Sequence, residues 1–303
     1  SNQRENTLAI GNTAGQVFQQ PNALAIGQLA GQIQQSFHSV AIGTQAGQSN
    51  QGAVGDNYKA VAIGYLAGQS TQNSHGVAIG TTAGGYGQGY GSVAVGQQAG
   101  TTNQGNGSVA IGQLAANNSQ GTGAVAIGTN AGLNSQGTYS VAIGNLAGQT
   151  SQSTASVAIG RSAGDFSQQD LAVAIGSNAG GYIQQSAAVA IGNYAGHNSQ
   201  APSAVAIGNQ AGSVFQATAA VAIGSNAGNA LQDIAAIAIG INAGGDTQRA
   251  GAVAIGSNAG YSTQQGAAVA IGQLAGEITQ NGQSVAIGIQ AGQSNQGFVG
   301  GNS

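Results

Sequence analysis

Charge is the scarcest commodity in this sequence, with four Lys and Arg and seven Asp and Glu among 303 residues and a net charge of −3. So few cations form no basic cluster, which excludes the electrostatic footprint of a nucleic-acid partner or an anionic membrane surface. Cysteine is absent, so disulfide staples and thiolate metal sites are excluded and an oxidising exterior is compatible with the chain. No apolar run approaches the ~20 residues that cross a bilayer, and the start lacks the charged-then-apolar pattern of a signal segment. Membrane insertion by this segment is therefore not expected. Methionine and tryptophan are also missing, and aromatic residues make up 4%, a poor supply for an ordinary mixed core. Disorder is excluded from the other side, because 41% of residues are apolar and they recur at regular intervals.

What is present is a repeat. Val-Ala-Ile-Gly, or a close aliphatic variant of it, occurs in 18 copies spaced 16 residues apart, except for one 21-residue step between Gly43 and Gly64. A fixed short period means a solenoid with one repeat per coil. The expected fold is therefore all-β, a parallel β-solenoid or β-roll of 18 coils stacked at ~4.8 Å and forming one repeat domain over 1–303. The five extra residues around Gly52 to Asn57 are expected to bulge as a loop without disturbing the coils on either side. A larger period is also visible, since 45–55 matches 290–300 at an offset of 245 residues. It implies a segment of a longer fibre, or a subunit whose ends meet head to tail.

Some positions never drift between copies. Ala stands two before and three after every repeat glycine, and a Gln stands eight after it. These glutamines are Gln19, Gln35, Gln51, Gln72, Gln88, Gln104, Gln120, Gln136, Gln152, Gln168, Gln184, Gln200, Gln216, Gln232, Gln248, Gln264, Gln280 and Gln296. Two structural readings fit them: inward-pointing amides stacked in a ladder, which is the favoured one, or side chains that cap a corner through backbone bonds. Strand alternation puts Val141 and Ile143 on one face and Ala142 on the other. Bulk suggests that the Val/Ile face lies inside. The small-residue face, represented by Ala110, Ala126, Ala142, Ala158, Ala174 and Ala190, is then expected to contact identical chains. The motive is energetic, because two large aliphatics per coil are too few to offset the ordering of its residues at roughly 1–2 kcal/mol each.

Repeats such as Ser140 to Gly144 and Ser156 to Gly160 resemble the head domains of trimeric autotransporter adhesins, with similar repeats in phage tail fibres. The resemblance implies a trimer of parallel β-rolls on a cell surface or virion, with Ala142, Ala158 and their equivalents facing the shared axis. The longer period, the Ala-Gly corner and the invariant Gln depart from that pattern.

Nothing in the sequence points to catalysis or a cofactor. His38, His75 and His197 read as lone surface side chains rather than a metal pair. Asp165 and Asp170 flank Gln168, without further acids, as a weak candidate for paired carboxylates. The stretch from Gly84 to Gly91 lacks the Lys and the following helix of a phosphate loop, and the sequons at Asn106 and Asn117 matter only in a glycosylating host. The function expected is that of an extracellular structural or adhesive fibre, not an enzyme, whose partners are identical chains and an unknown surface receptor or matrix. Tyr58 and Lys59 in the inserted loop are the weak candidates for ligand contact. The alternatives are a head-to-tail filament subunit or a solenoid that binds ice or another flat surface. A regular Thr array for ice is missing, because the residues after the glycines run Asn12, Gln28, Thr44, Tyr65, Thr81, Gln97.

Overall fold

The computed structural model describes residues 5–52 and 59–294. These are all-β, with no helix among them, and wind as parallel β-solenoid through about 17 coils. The coils are divided between two compact units, 1–155 and 156–303. Each coil contributes one strand of the Val-Ala-Ile type, such as Val253–Ile255, and one strand that ends on the repeat Gln, such as Thr263–Gln264. Both strands pair in parallel with their equivalents in the next coil: Val253 with Val269, Ala254 with Ala270, Ile255 with Ile271, and Thr247 with Thr263. The long step between Gly43 and Gly64 leaves this register intact, because Val40 pairs with Val61 and Gln51 with Gln72 across it. The loop itself, including Tyr58, lies outside the described residues, as does Gln296.

Two tight turns close each coil. After the first strand, Ala259 N–H donates to the Gly256 carbonyl at 3.3 Å, with Asn258 between them at φ 56°. This is the left-handed third position of a type II turn, which Asn tolerates well. The second turn follows the Gln, where Ala268 N–H reaches the Gln265 carbonyl at 3.3 Å with Ala267 at φ 55°.

The inside of the coil is the reverse of the bulk-based expectation. Ala252, Ala254, Ala259 and Gln264 have no accessible surface, whereas Val253 and Ile255 are only half-buried and face out. Ala110, Ala126, Ala142, Ala158, Ala174 and Ala190 are likewise fully enclosed by their own chain, so they are core residues and not an interface. The physical reason is space. The Gln side chain spans the interior from the opposite strand. A Cβ built on Gly260 would stand 2.8 Å from the Gln264 amide oxygen and 3.3 Å from the Ala254 methyl. A Val or Ile side chain in place of Ala254 would overfill that gap.

The Gln amide performs both of the roles open to it from the sequence. Gln200 Nε2 donates to the Val189 carbonyl at 2.7 Å, to the Ala204 carbonyl at 3.1 Å and to Gln216 Oε1 at 3.1 Å. It thus ties the two sheets together and extends the ladder. In 156–303 the amide ladder is continuous from Gln168 to Gln280. In 1–155 the backbone bonds persist, as from Gln72 to Val61 at 2.8 Å, but the amide-to-amide chain is interrupted, and the Oε1 atoms of Gln51, Gln72 and Gln88 find no partner. The interruption accompanies a change in backbone. In 1–155 the residue before the Gln takes positive φ, as at Asn50, Asn103, Ser119 and Ser135. Beyond Ser167 that position, held by residues such as Ile183, Ser199, Phe215 and Thr247, no longer adopts it.

Two glycines of one coil separate close packing from conformation. Gly256 sits at φ 129° with the Gly272 carbonyl oxygen 2.6 Å from where a Cβ would be, while Gly251 sits at φ 66° with nothing within 4 Å. Gly256→Ala should lower stability by roughly 3 kcal/mol or more, Gly251→Ala by about 1 kcal/mol, and Gly251→Asn by less, all read from denaturant midpoints. Equal costs at the two sites would disprove the close approach of successive coils. Gln200→Leu should cost roughly 2–5 kcal/mol by stripping buried carbonyls of their donors. Gln200→Glu should be worse at pH 7 than at pH 4. Burial raises a carboxyl pKa, so the folded state gains from the protonated form, and stability falls as pH climbs through the unfolded value of about 4.3. A melting-temperature deficit relative to wild type that is the same at both pH values would show that residue 200 is not enclosed.

Candidate association surface

With Ala on the inside, the first strand turns its two bulky side chains to the outside. Parallel in-register pairing stacks them into two columns. In 1–155 these include Val93, Val109, Val125, Val141 and, beside them, Val95, Ile111, Ile127, Ile143. In 156–303 they include Val173, Val189, Val205, Val221 and Ile175, Ile191, Ile207, Ile223. Exposure is substantial even mid-unit, at 39% for Ile111 and 37% for Ile127. With nine such strands per unit, each face is a strip about 40 Å by 10 Å, or roughly 400 Å². That reaches the size at which an exposed apolar patch on a single chain signals a function. Sequence reasoning saw these residues and placed them on the wrong side of the sheet.

The other predicted positions remain scattered. Lys59 is exposed at the edge of the inserted loop. His38 and His75 both lie eleven residues after their repeat glycines, so they share a phase of the coil. His38 contacts the Asn22 amide at 3.4 Å, whereas His75 packs edge-on against Tyr90 at 5.2 Å. No cluster of three or more metal-ligating side chains forms among the described residues. Asp165 and Asp170 stand beyond opposite ends of the strand Phe166–Gln168. Partial burial pushes the Asp165 carboxyl above its ordinary range. The stretch from Gly84 to Gly91 is an ordinary coil containing the strand Tyr86–Gln88. Asn106 accepts the Tyr90 N–H at 2.9 Å, and Asn117 donates to the Gln98 carbonyl at 3.0 Å. No helix among the described residues is long and apolar enough to cross a membrane.

Two features escaped the sequence analysis. Gln16, Gln32, Gln48 and Gln69 form a second amide ladder on the outer corner, with successive bonds of 3.2, 3.1 and 3.3 Å. Their common position in the repeat was the available signal. His197 is not a lone surface residue, because its ring is held by Nδ1 at 2.9 Å from the Asn178 carbonyl and packs edge-on to Tyr182 and Tyr194. Gly181 makes the room, since a Cβ there would meet the His197 ring. Compared with known proteins, the chain matches no protein-family model, and no curated protein matches its sequence.

Proposed function

We propose that this chain is a non-catalytic structural element of an extracellular fibre, and that a second copy of the chain covers its Val/Ile face. The observation that carries this reading is an internal contrast between the two sheets. Outward positions on the Gln sheet of 156–303 vary freely through Ile183, Ser199, Phe215, Leu231, Thr247 and Thr263, whereas outward positions on the other sheet are Leu, Val or Ile in every coil. The fold tolerates almost any side chain at an outward strand position, so uniform aliphatics on one sheet answer to something outside the coil. Burying the strip on two copies removes roughly 800 Å² from water for each unit engaged. Burial of apolar area is the main favourable contribution to association, set against a loss of rigid-body freedom of roughly 4–15 kcal/mol. Placement outside the cell, in a surface or virion fibre of adhesive type, is supported by the resemblance of the repeat to trimeric adhesin heads. The role of the axis-facing residue implied by that resemblance passes from Ala142 to Val141 and Ile143.

Sedimentation tests the reading. The chain should run as a multiple of 29.0 kDa, three copies if the adhesin-like arrangement holds. A variant combining Val205→Lys, Ile207→Lys and Val221→Lys should lose at least tenfold in association while keeping its β-type circular dichroism. Ala206→Leu serves as the contrast, because it overfills the core and should unfold its coil instead. A wild-type chain that stays at 29.0 kDa at all concentrations would refute self-association. If that monomer also produced thermal hysteresis, the face would be a binding surface for ordered water.

A further inference from the structure

On the Gln sheet of 156–303 the coils at Phe215, Leu231 and Thr247 stack in register. The Gln points inward, so the residue immediately before it points outward, and just past the strand Asp233 and Arg249 reach the surface whereas Ala217 is buried. The column before it reads Phe215, Leu231, Thr247, and the column after it reads Ala217, Asp233, Arg249. Phe215 is 49% and Leu231 50% exposed, and together with Asp233, Thr247 and Arg249 they line an open groove of about 180 Å³. Two opposite charges in successive coils are conspicuous in a chain with only four cations, yet they are not bridged to one another. Asp233 Oδ1 accepts the N–H of Ile234 at 2.8 Å, and the Arg249 guanidinium has no partner among the described residues.

We infer that this groove is a second contact between copies of the chain, an antiparallel two-fold pair in which Asp233 of each copy receives Arg249 of the other. The register dictates the orientation. A two-fold axis parallel to the strands, lying between the Asp233 and Arg249 coils, lays Asp233 on the other copy's Arg249, Arg249 on its Asp233, and Leu231 on its Thr247. Such a patch is self-complementary, as a closed two-fold contact requires. A two-fold axis along the solenoid would instead lay Asp233 on Leu231 and leave the carboxylate facing an apolar side chain. In the antiparallel pair the incoming guanidinium enters the groove, and its aliphatic stem covers Leu231 and Phe215. This contact lies on the sheet opposite the Val/Ile face and does not depend on that face being occupied.

The test uses the full chain carrying the three Lys substitutions above, which isolates the Gln-sheet contact. At low salt this chain should form dimers by sedimentation velocity. Asp233→Arg or Arg249→Asp should each weaken dimerisation at least tenfold. Mixing the two reversed chains should restore it, because one then offers two arginines and the other two aspartates at the contact. Raising the salt concentration should weaken the restored pair as well. A mixture that stays monomeric, or single reversals that dimerise unchanged, would overturn the inference. The same follows if the Lys-substituted chain is monomeric throughout, and the Val/Ile reading would then stand alone. If the Lys substitutions leave the mass of the otherwise wild-type chain unaltered while charge reversal lowers it, the Gln-sheet contact stands and the Val/Ile reading falls.

Discussion

The amide of one buried glutamine per coil sets the dimensions of everything around it. Nε2 of Gln200 reaches across the interior to the Val189 carbonyl, so the distance between the two sheets is the length of a Gln side chain. Asn would fall a methylene short, Leu would leave the carbonyl unanswered, and Glu would bury a charge. The same reach forces the opposite wall to be small. Gly196 and Ala190 lie so near the Gln200 amide that a Cβ on Gly196 would stand 2.8 Å from its oxygen. Register follows from it too, because a one-residue slip would throw the Gln into solvent and a variable residue into the core.

A core of Ala, Gly and amide reverses the usual division of labour. Hydrophobic burial inside the coil is confined to methyl groups, and cohesion comes from ladder bonds between coils and amide bonds between sheets, each of which is modest alone but repeats in every layer. The large aliphatics stand outside the coil, where stacking on their equivalents in neighbouring coils covers part of each side chain. The apolar surface that stacking leaves exposed is what the proposed self-association would bury. Coil folding and the proposed association therefore draw on different parts of the same 16-residue unit.

The period, the parallel stacking and the undisturbed register across the long coil were legible in the sequence because each depends on spacing alone, and the inward Gln was the favoured of two readings because no copy replaces it. Which sheet face points inward was not legible. Alternation sorts residues into two faces without saying which is enclosed, and the presumption that bulky aliphatics lie inside is a tendency that holds in one direction only. The decisive clue was already present in Gln200. An inward Gln at every coil leaves no volume for an inward Val189 and Ile191 as well, so the two expectations were mutually exclusive. The packing of His197 against Tyr182 and Tyr194 was hidden for another reason: it depends on the space above Gly181, which spacing does not encode.

The distribution of the few charges bears on why the aliphatic strip is tolerated at all. A flat β surface open to water is normally protected against stray pairing by lysines or other charges at outward positions. Here every charged residue that the structure describes stands elsewhere: Arg161 in the first turn, Asp165, Asp246 and Glu277 before the Gln strand, Asp170, Asp233 and Arg249 after it, and Glu5 and Lys59 in the turn that leads into the first strand. None takes the place of a Val or an Ile on the other sheet. β-propensity does not account for this, since Thr satisfies an outward strand position as well as Val does and is used freely on the Gln sheet at Thr247 and Thr263. A face from which both charge and hydroxyl are withheld, in a chain that carries them on its other surfaces, is what the proposed self-association through that face requires.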